Sequence, residues 1–288
     1  MTASIAALLT CYNRKEKTLA CLRSLLGRPQ GVDAKLTVYL LDDASNDGTA
    51  DAVKEEFPQV RLLKGDGNYY WNGGMRAAFG AAIKDGHDFY LWLNDDVDLY
   101  DGFLAKLVAT YDTVTEQTSP LNIIVGAVKD PTSGEMSYSG FVRSSRWHPL
   151  KFWKLLPDPE QPLECETING NCVLIPNGIV QKIGNLDPVY IQQAGDMDYG
   201  FKARKIGARI WLGPGYVGEC EPNRKRLLWS NPDLTLRERL KLVNTPHGLP
   251  FRVYFHFARQ HGGWAWLVFA VSPYLKALMP KISLTGRK

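Results

Sequence analysis

Over the first hundred residues, short apolar runs rich in Leu, Ile and Val alternate with stretches whose apolar positions recur every three or four residues. The first pattern predicts buried strands and the second amphipathic helices. Strands are expected at Ser4–Thr10, Leu36–Leu41, Val60–Leu63 and Phe89–Leu93, with helices at Lys15–Leu26, Thr49–Glu56, Gly73–Lys84 and Asp101–Tyr111. Such alternation implies a parallel sheet covered by helices on both faces, an α/β fold. Further strands are expected at Leu121–Val128 and Glu135–Val142. Ser144–Pro162, rich in Pro, Trp and Lys and without periodicity, reads as a long surface loop, and such loops are often functional. A second ordered block follows, with strand Asn171–Ile175, helices Pro176–Ile183 and Ala194–Ile206, and strand Arg209–Leu212. From about Gly218 the composition shifts to Arg, Pro and Trp, marking a C-terminal extension.

At 288 residues, 45% hydrophobic and 22% charged, the chain is long and apolar enough to bury a substantial core. Its net charge of +4, with no concentrated basic stripe, argues against nucleic acid as a partner. Cys11, Cys21, Cys165, Cys172 and Cys220 are scattered, odd in number and without a CxxC pair. This disfavours a disulfide framework or structural zinc and points to a reducing compartment, the cytoplasm. The chain starts with a strand-like SIAALLT and no basic n-region, so no signal peptide is expected. The five histidines (His87, His148, His247, His256, His261) are dispersed, and surface or packing roles are expected for each.

Candidate chemistry gathers where predicted strands end. Phe89-Tyr-Leu-Trp-Leu stops abruptly in Asn94, Asp95, Asp96 and Asp98. Carboxylates crowded at one strand end repel unless solvated or sharing a cation, and Mg²⁺ and Mn²⁺ take oxygen ligands of this kind together with substrate phosphates. The first strand ends in Thr10-Cys-Tyr-Asn-Arg14 and the second in Leu41-Asp42-Asp43-Ala-Ser-Asn-Asp-Gly-Thr49. Both place polar groups at the carboxyl edge of the sheet, where open α/β folds bind ligands. Neither a G-x-G-x-x-G after the first strand nor a P-loop is present, which excludes the dinucleotide and P-loop readings.

Thr10-x-Tyr-Asn-Arg14, Asp42-Asp43-x-Ser-x-Asp-Gly-Thr49 and Asn94-x-Asp96 resemble the family 2 glycosyltransferases, which have the GT-A fold. Gly170-Asn-Cys-Val-Leu-Ile-Pro176, Ile183-Gly-Asn-Leu-Asp187 and Gly195-Asp-Met-Asp-Tyr-Gly-Phe-Lys-Ala-Arg204 resemble the acceptor-side blocks of that family, so the likeness covers roughly residues 4 to 220. It implies a catalytic domain over 1–217, with a nucleotide-sugar-binding half to about residue 100 and an acceptor half beyond. It also implies that Thr10, Arg14 and Asp43 hold the base and ribose of a UDP- or dTDP-sugar. Asp96 is implied as the ligand of Mg²⁺ or Mn²⁺, Asp95 as a contact to ribose or to the metal's water shell, and Asp196 as the base of an inverting transfer to a saccharide or lipid-linked acceptor. Tyr12 and Trp71, the latter in Asn68-Tyr-Tyr-Trp-Asn-Gly-Gly74, are expected on the donor side. From the residues alone, a turn or cap aspartate is the lesser reading of Asp43, and the Trp71 segment is equally a turn with core aromatics.

Three departures from the family pattern stand out. Asn94 replaces the first Asp of the Asp-x-Asp, Gly195 replaces the Glu before Asp196, and Glu219-Cys220 falls where many relatives carry a metal-binding His. They keep open a catalytically degenerate sugar-nucleotide-binding protein. A sugar-nucleotide pyrophosphorylase fits less well, since Thr10–Arg14 is not a Gly-rich, Arg-containing loop. Asp198 is expected to pair with Arg204, and Asp98 to be solvated charge. In the extension, Trp264–Met279 is sixteen residues, short of the roughly 20 that span a bilayer. Flanked by Arg252, Arg259, Lys276, Lys281, Arg287 and Lys288, it suits peripheral contact with the inner face of a membrane. Packing of a helix pair on the catalytic domain or on a second subunit, as a homo-oligomer, suits it equally.

Overall fold

The computed structural model describes residues 2–223 and 231–279; Lys281, Arg287 and Lys288 lie outside the described residues. Four parallel strands form one half of the main sheet: β1 (Ala3–Cys11), β2 (Ala34–Asp42), β3 (Arg61–Lys64) and β4 (Phe89–Leu93). Between them run α1 (Lys15–Gly27), α2 (Thr49–Glu56) and α3 (Tyr70–Asp85). After β5 (Asp98–Leu99) and α4 (Phe103–Gln117) come β6 (Asn122–Lys129), β7 (Met136–Tyr138), β8 (Phe141–Arg143), β9 (Phe152–Lys154) and β10 (Leu163–Cys165). Then follow β11 (Cys172–Pro176), α5 (Asn177–Ile183), α6 (Gly195–Lys205) and β12 (Arg209–Glu219).

The sheet order is β10-β12-β6-β11-β4-β1-β2-β3. β11 is antiparallel to both its neighbours, β4 and β6, so it forms the seam between the two halves. Strands buried on both faces account for the unbroken apolar runs. One core layer holds Leu9, Leu22, Leu91 and Leu107; the other holds Leu8, Phe79, Trp92 and Tyr199. The alternation of Leu8 and Leu9 between layers is the two-residue period of a strand.

Two expectations at mid-chain are corrected. The strand expected over Glu135–Val142 divides into β7, in the main sheet, and β8, which pairs with β9 in a separate hairpin. Gly140 marks the break, where an added Cβ would lie 2.2 Å from Cys165 Sγ. The loop expected over Ser144–Pro162 therefore contains a strand. The strand beginning at Arg209 also continues past Leu212 to Glu219, with register shifts that accommodate Gly213, Pro214 and Gly215.

The C-terminal extension forms α7 (Leu236–Val243), α8 (Phe251–His261), a 3-10 turn (Gly263–Ala265) and α9 (Trp266–Leu278). Helix α7 opens with a capping box between Thr235 and Glu238. Val253 and Phe257 of α8 join Tyr190 and Phe201 in a third apolar cluster, seating α8 on the catalytic domain beside α6. Pro273 lies inside α9 and cannot donate to the Phe269 carbonyl, which accepts the Ser272 hydroxyl at 3.1 Å instead. Ala270, Pro273 and Ala277 are buried, whereas Leu267, Val268, Val271, Leu275 and Leu278 are exposed. Among the described residues no helix is long and apolar enough to cross a membrane.

Candidate active site

The carboxyl ends of β1, β2 and β4 converge on one edge of the sheet, and the turns leaving them are tied together. After β1, Asn13 N donates to Ser45 Oγ at 2.8 Å and its Oδ1 accepts Asn46 N at 2.8 Å. After β2, Asp43 Oδ1 accepts Gly67 N at 2.8 Å, while Oδ2 accepts Tyr69 N at 2.9 Å and Tyr70 N at 3.1 Å. Asp43 thus organises the loop that starts α3. A carboxylate has about four acceptor sites, so three backbone donors leave room for one more.

Trp71, at the start of α3, is held on several sides. Its Nε1 donates to Asn94 Oδ1 at 2.7 Å and its backbone N to Gln192 Oε1 at 2.9 Å. Its ring lies against Gly170, where an added Cβ would approach it to 2.4 Å. Glycine at 170 is therefore a packing requirement. Asn94 spends its side-chain oxygen on the indole.

Arg14 bridges the two carboxylates that follow Asn94. It reaches Asp95 at 2.9 Å and Asp96 through its other terminal nitrogen. The guanidinium fork matches the paired carboxylates, and Arg14 also lines the cavity where the donor-side residues meet. Asp95 is buried, and its second oxygen accepts the Thr18 hydroxyl at 3.1 Å. Burial pushes its pKa up to about 7, against the pull of Arg14 and with a further push from Asp96. Asp98 is half exposed and pairs with Arg28 at 2.9 Å, so it is not free solvated charge.

Two cavities open on this edge. One, of about 360 Å³, is lined by Thr10, Tyr12, Arg14, Asp43, Tyr70, Trp71, Asn94, Asp95, Gln192 and His247, among others. The other, of about 630 Å³, shares Arg14, Trp71, Asn94 and Gln192 and adds Asp96, Asp130, Tyr138 and Glu221. All the residues expected on the donor side therefore meet around the first cavity, and Asp96 faces the second. Gln192, Asn171 and His247 were not anticipated as individual site residues. Gln192 and Asn171 lie within or beside the segments quoted above, but nothing in the local sequence separates them from their neighbours.

Among the described residues no group of three or more His, Cys, Asp or Glu side chains is arranged to hold a metal ion. Even so, the donor set fits a hard cation in one respect. Asp96 Oδ1 and Asn171 Oδ1 are buried acceptors with no nitrogen or oxygen donor, and both side chains lie against the Cys220 thiol. Glu219, at the end of β12, turns away to Tyr100 Oη at 2.7 Å and Lys129 at 3.6 Å. Cys220 stands beside Asp96 instead, its thiol kept protonated by burial and then by the Asp96 charge.

Asp196 lies on neither cavity wall. It sits at the start of α6 behind Gly170, whose N–H donates to Asp196 Oδ2 at 2.9 Å, and Oδ1 accepts Met197 N at 2.8 Å. Burial raises its pKa, against these two backbone donors. Gly195 has a steric cause: an added Cβ would lie 1.8 Å from Asn72 Oδ1, so no glutamate fits there. The expected Asp198–Arg204 pair is not formed. Asp198, fully buried, bonds His261 Nε2 at 2.7 Å and Lys202 Nζ at 2.8 Å, and Arg204 turns to Glu166 at 3.6 Å. Residues four apart share a helix face and residues six apart do not.

The solved structures most like this one include GalNAc-T7 with UDP, GalNAc and Mn²⁺ (15% identity, covering 84% of this chain and 48% of that chain, TM-score 0.59). This chain thus spans about half the length of GalNAc-T7. Others are the mannosyltransferase PcManGT from Pyrobaculum calidifontis in complex with GDP-Man and Mn²⁺ (14% identity, covering 96% and 81%, TM-score 0.54) and S. aureus TarS (13% identity, covering 97% and 81%, TM-score 0.53). None of the curated proteins matches the chain significantly in sequence. The fold shared with these structures is GT-A, and the family profile described as Glycosyl transferase family 2 matches residues 7–159. The chain belongs to glycosyl transferase family 2 and is a glycosyltransferase.

Proposed function

We propose that the protein is a metal-dependent, inverting glycosyltransferase that moves a sugar from a UDP- or dTDP-linked donor to a hydroxyl of a saccharide or lipid-linked acceptor, in polysaccharide assembly. The observation that carries this reading is the cavity of about 360 Å³ in which Thr10, Tyr12, Asp43, Trp71, Asn94 and Asp95 come together at the strand ends. Tyr12, 54% exposed, offers a flat face to a base, and the remaining acceptor site of Asp43 suits a pyrimidine N3–H. Asp96, with Asn171, would hold Mg²⁺ or Mn²⁺, which when bound neutralises charge on a diphosphate. Arg14 sits between the donor cavity and Asp96 and supplies fixed positive charge beside them.

Asp196 is the proposed base. Its carboxylate takes the proton of the acceptor hydroxyl as that oxygen attacks the anomeric carbon from the face opposite the leaving diphosphate. The raised pKa favours proton uptake, and Gly170 lies against both Asp196 and the Trp71 ring at the cavity wall. We assign the catalytic domain to residues 1–219, through the end of β12 and two residues beyond the boundary expected from sequence, and the rest to an extension. The exposed apolar face of α9, a helix that carries Lys276 and follows Arg252 and Arg259 of α8 in the chain, is proposed to rest on an anionic membrane surface.

The test is hydrolysis of UDP-, dTDP- and GDP-sugars without acceptor, with and without Mn²⁺. Slow, Mn²⁺-dependent release of UDP or dTDP is expected. A second reading, binding without turnover, is favoured by the Asn94 side chain being committed to Trp71. Tight nucleotide-sugar binding with no release of any nucleotide would establish it instead.

A further inference from the structure

We propose that His247, from the C-terminal extension, hydrogen-bonds the nucleoside half of the donor, so that the extension completes the donor site. The inference rests on the donor-cavity reading above. His247 lies in the loop between α7 and α8 and lines the same cavity as Tyr12, Asp43 and Gln192. Its ring meets Tyr70 edge-on, with centroids 6.0 Å apart. The backbone N of Tyr70 is bonded to Asp43, which places His247 toward the Asp43 end of the cavity, where the base and ribose are assigned.

The loop that carries His247 is fixed in place. Gly248 N donates to Thr245 O at 2.8 Å and Leu249 N to Val243 O at 2.7 Å. A Cβ on Gly248 would lie 2.2 Å from Leu242 O, so the turn is tight enough to require glycine. Gln193 Nε2 donates to the His247 carbonyl, joining the loop to the segment that carries Gln192. Tyr274 Oη donates to Leu249 O at 2.6 Å, bracing the loop from α9.

The side chain itself is uncommitted. It is exposed, and among the described residues its ring nitrogens make no hydrogen bond. A neutral imidazole offers one donor and one acceptor, which suits a ribose hydroxyl or a base carbonyl. The edge-on contact with the Tyr70 ring restricts the side chain, which lowers the freedom it loses on binding.

The test uses the full chain and titrates UDP and dTDP in the presence of Mn²⁺ by calorimetry, with thermal unfolding as a control for folding. Because His247 is exposed, His247→Ala is expected to leave the melting temperature unchanged and to weaken the better nucleotide at least about 5-fold. With turnover measured on the matching nucleotide-sugar, the loss should fall on the donor KM more than on kcat, as for a contact made equally in ground and transition states. His247→Gln, which retains a donor and an acceptor, should recover most of the affinity. An alanine variant that binds as the wild type does, or a glutamine variant as weak as alanine, overturns the assignment. If the wild type binds neither nucleotide, the donor-cavity reading falls and this inference with it.

Discussion

Replacing Asp198 by Asn probes the joint between the catalytic domain and its C-terminal helices. Asp198 and His261 are both essentially buried, at 1% and 2% side-chain exposure, and Lys202 closes the group from the side. The amide keeps a bond to His261 but withdraws the charge facing Lys202, which retains Asp187 at 2.9 Å. Losing one charge-assisted bond in such a place costs about 2–3 kcal/mol. For a chain of this size that lowers the melting temperature by roughly 4–12 °C. His261→Ala removes the bond that the amide keeps, together with ring contacts to Phe201 and Phe257, and should cost about 3–4 kcal/mol. Arg204→Ala breaks only the half-exposed pair with Glu166 and should cost less than about 1 kcal/mol. Thermal or urea unfolding of the single and double variants gives the couplings. Asp198→Ala, which removes both contacts, should be strongly non-additive with His261→Ala, and Asp198→Asn and Arg204→Ala additive. Burial holds the His261 imidazole below its ordinary pKa of 6.5, with Asp198 pulling the other way. Below pH 6.5 the unfolded chain therefore binds more protons at this site than the folded one, and stability falls with pH until the folded value is passed. His261→Ala should remove that component. Additivity of Asp198→Ala with His261→Ala, or strong coupling of Asp198→Asn to Arg204→Ala, would refute the clamp.

Asp96→Ala should abolish Mn²⁺-supported nucleotide binding while the protein stays folded; calorimetry showing unchanged affinity would remove Asp96 from the metal site. Asp196→Asn should lower turnover at least about 10²-fold, the usual worth of a general base, with donor affinity nearly unchanged; normal turnover would place the base elsewhere. Gly195→Glu, which restores the family acid, should destabilise by about 1–3 kcal/mol through overpacking against Asn72, and a variant with wild-type melting and higher activity would contradict that. Leu267→Glu combined with Val271→Glu should end binding to anionic liposomes without changing the melting temperature, and undiminished binding would exclude α9 as the contact.

The helix over Thr49–Glu56 and the strand over Phe89–Leu93 were legible to the residue, because their apolar periods and polar stops agree. Strand β5, two residues long, carries no period and was invisible. Gly213-Pro-Gly215 reads locally as a strand end, yet β12 passes through it because β6 alongside supplies the pairing. Thr235-Leu-Arg-Glu238 is a capping-box pattern that could have announced α7. Within the site, the types and order of Thr10, Asp43, Trp71 and Asn94–Asp96 were readable. Their partners were not: Asp43 is engaged by backbone donors from a later loop, and Arg14 meets carboxylates some eighty positions downstream. Gln192 and His247 enter from far along the chain, where no local rule marks a side chain that faces a cavity.

The antiparallel seam at β11 bears on how the chain is made. Strand β4, with its run Phe89-Tyr-Leu-Trp-Leu, is the inner edge of the first half, and its missing neighbour is Cys172–Pro176. During synthesis about 80 residues must emerge before that neighbour arrives, several seconds or more at roughly 5–20 residues per second. Until then the nascent chain carries an unpaired, wholly apolar strand edge of the kind that templates aggregation. Asn94, Asp95 and Asp96 follow that edge directly, and before they serve any substrate their polarity guards it.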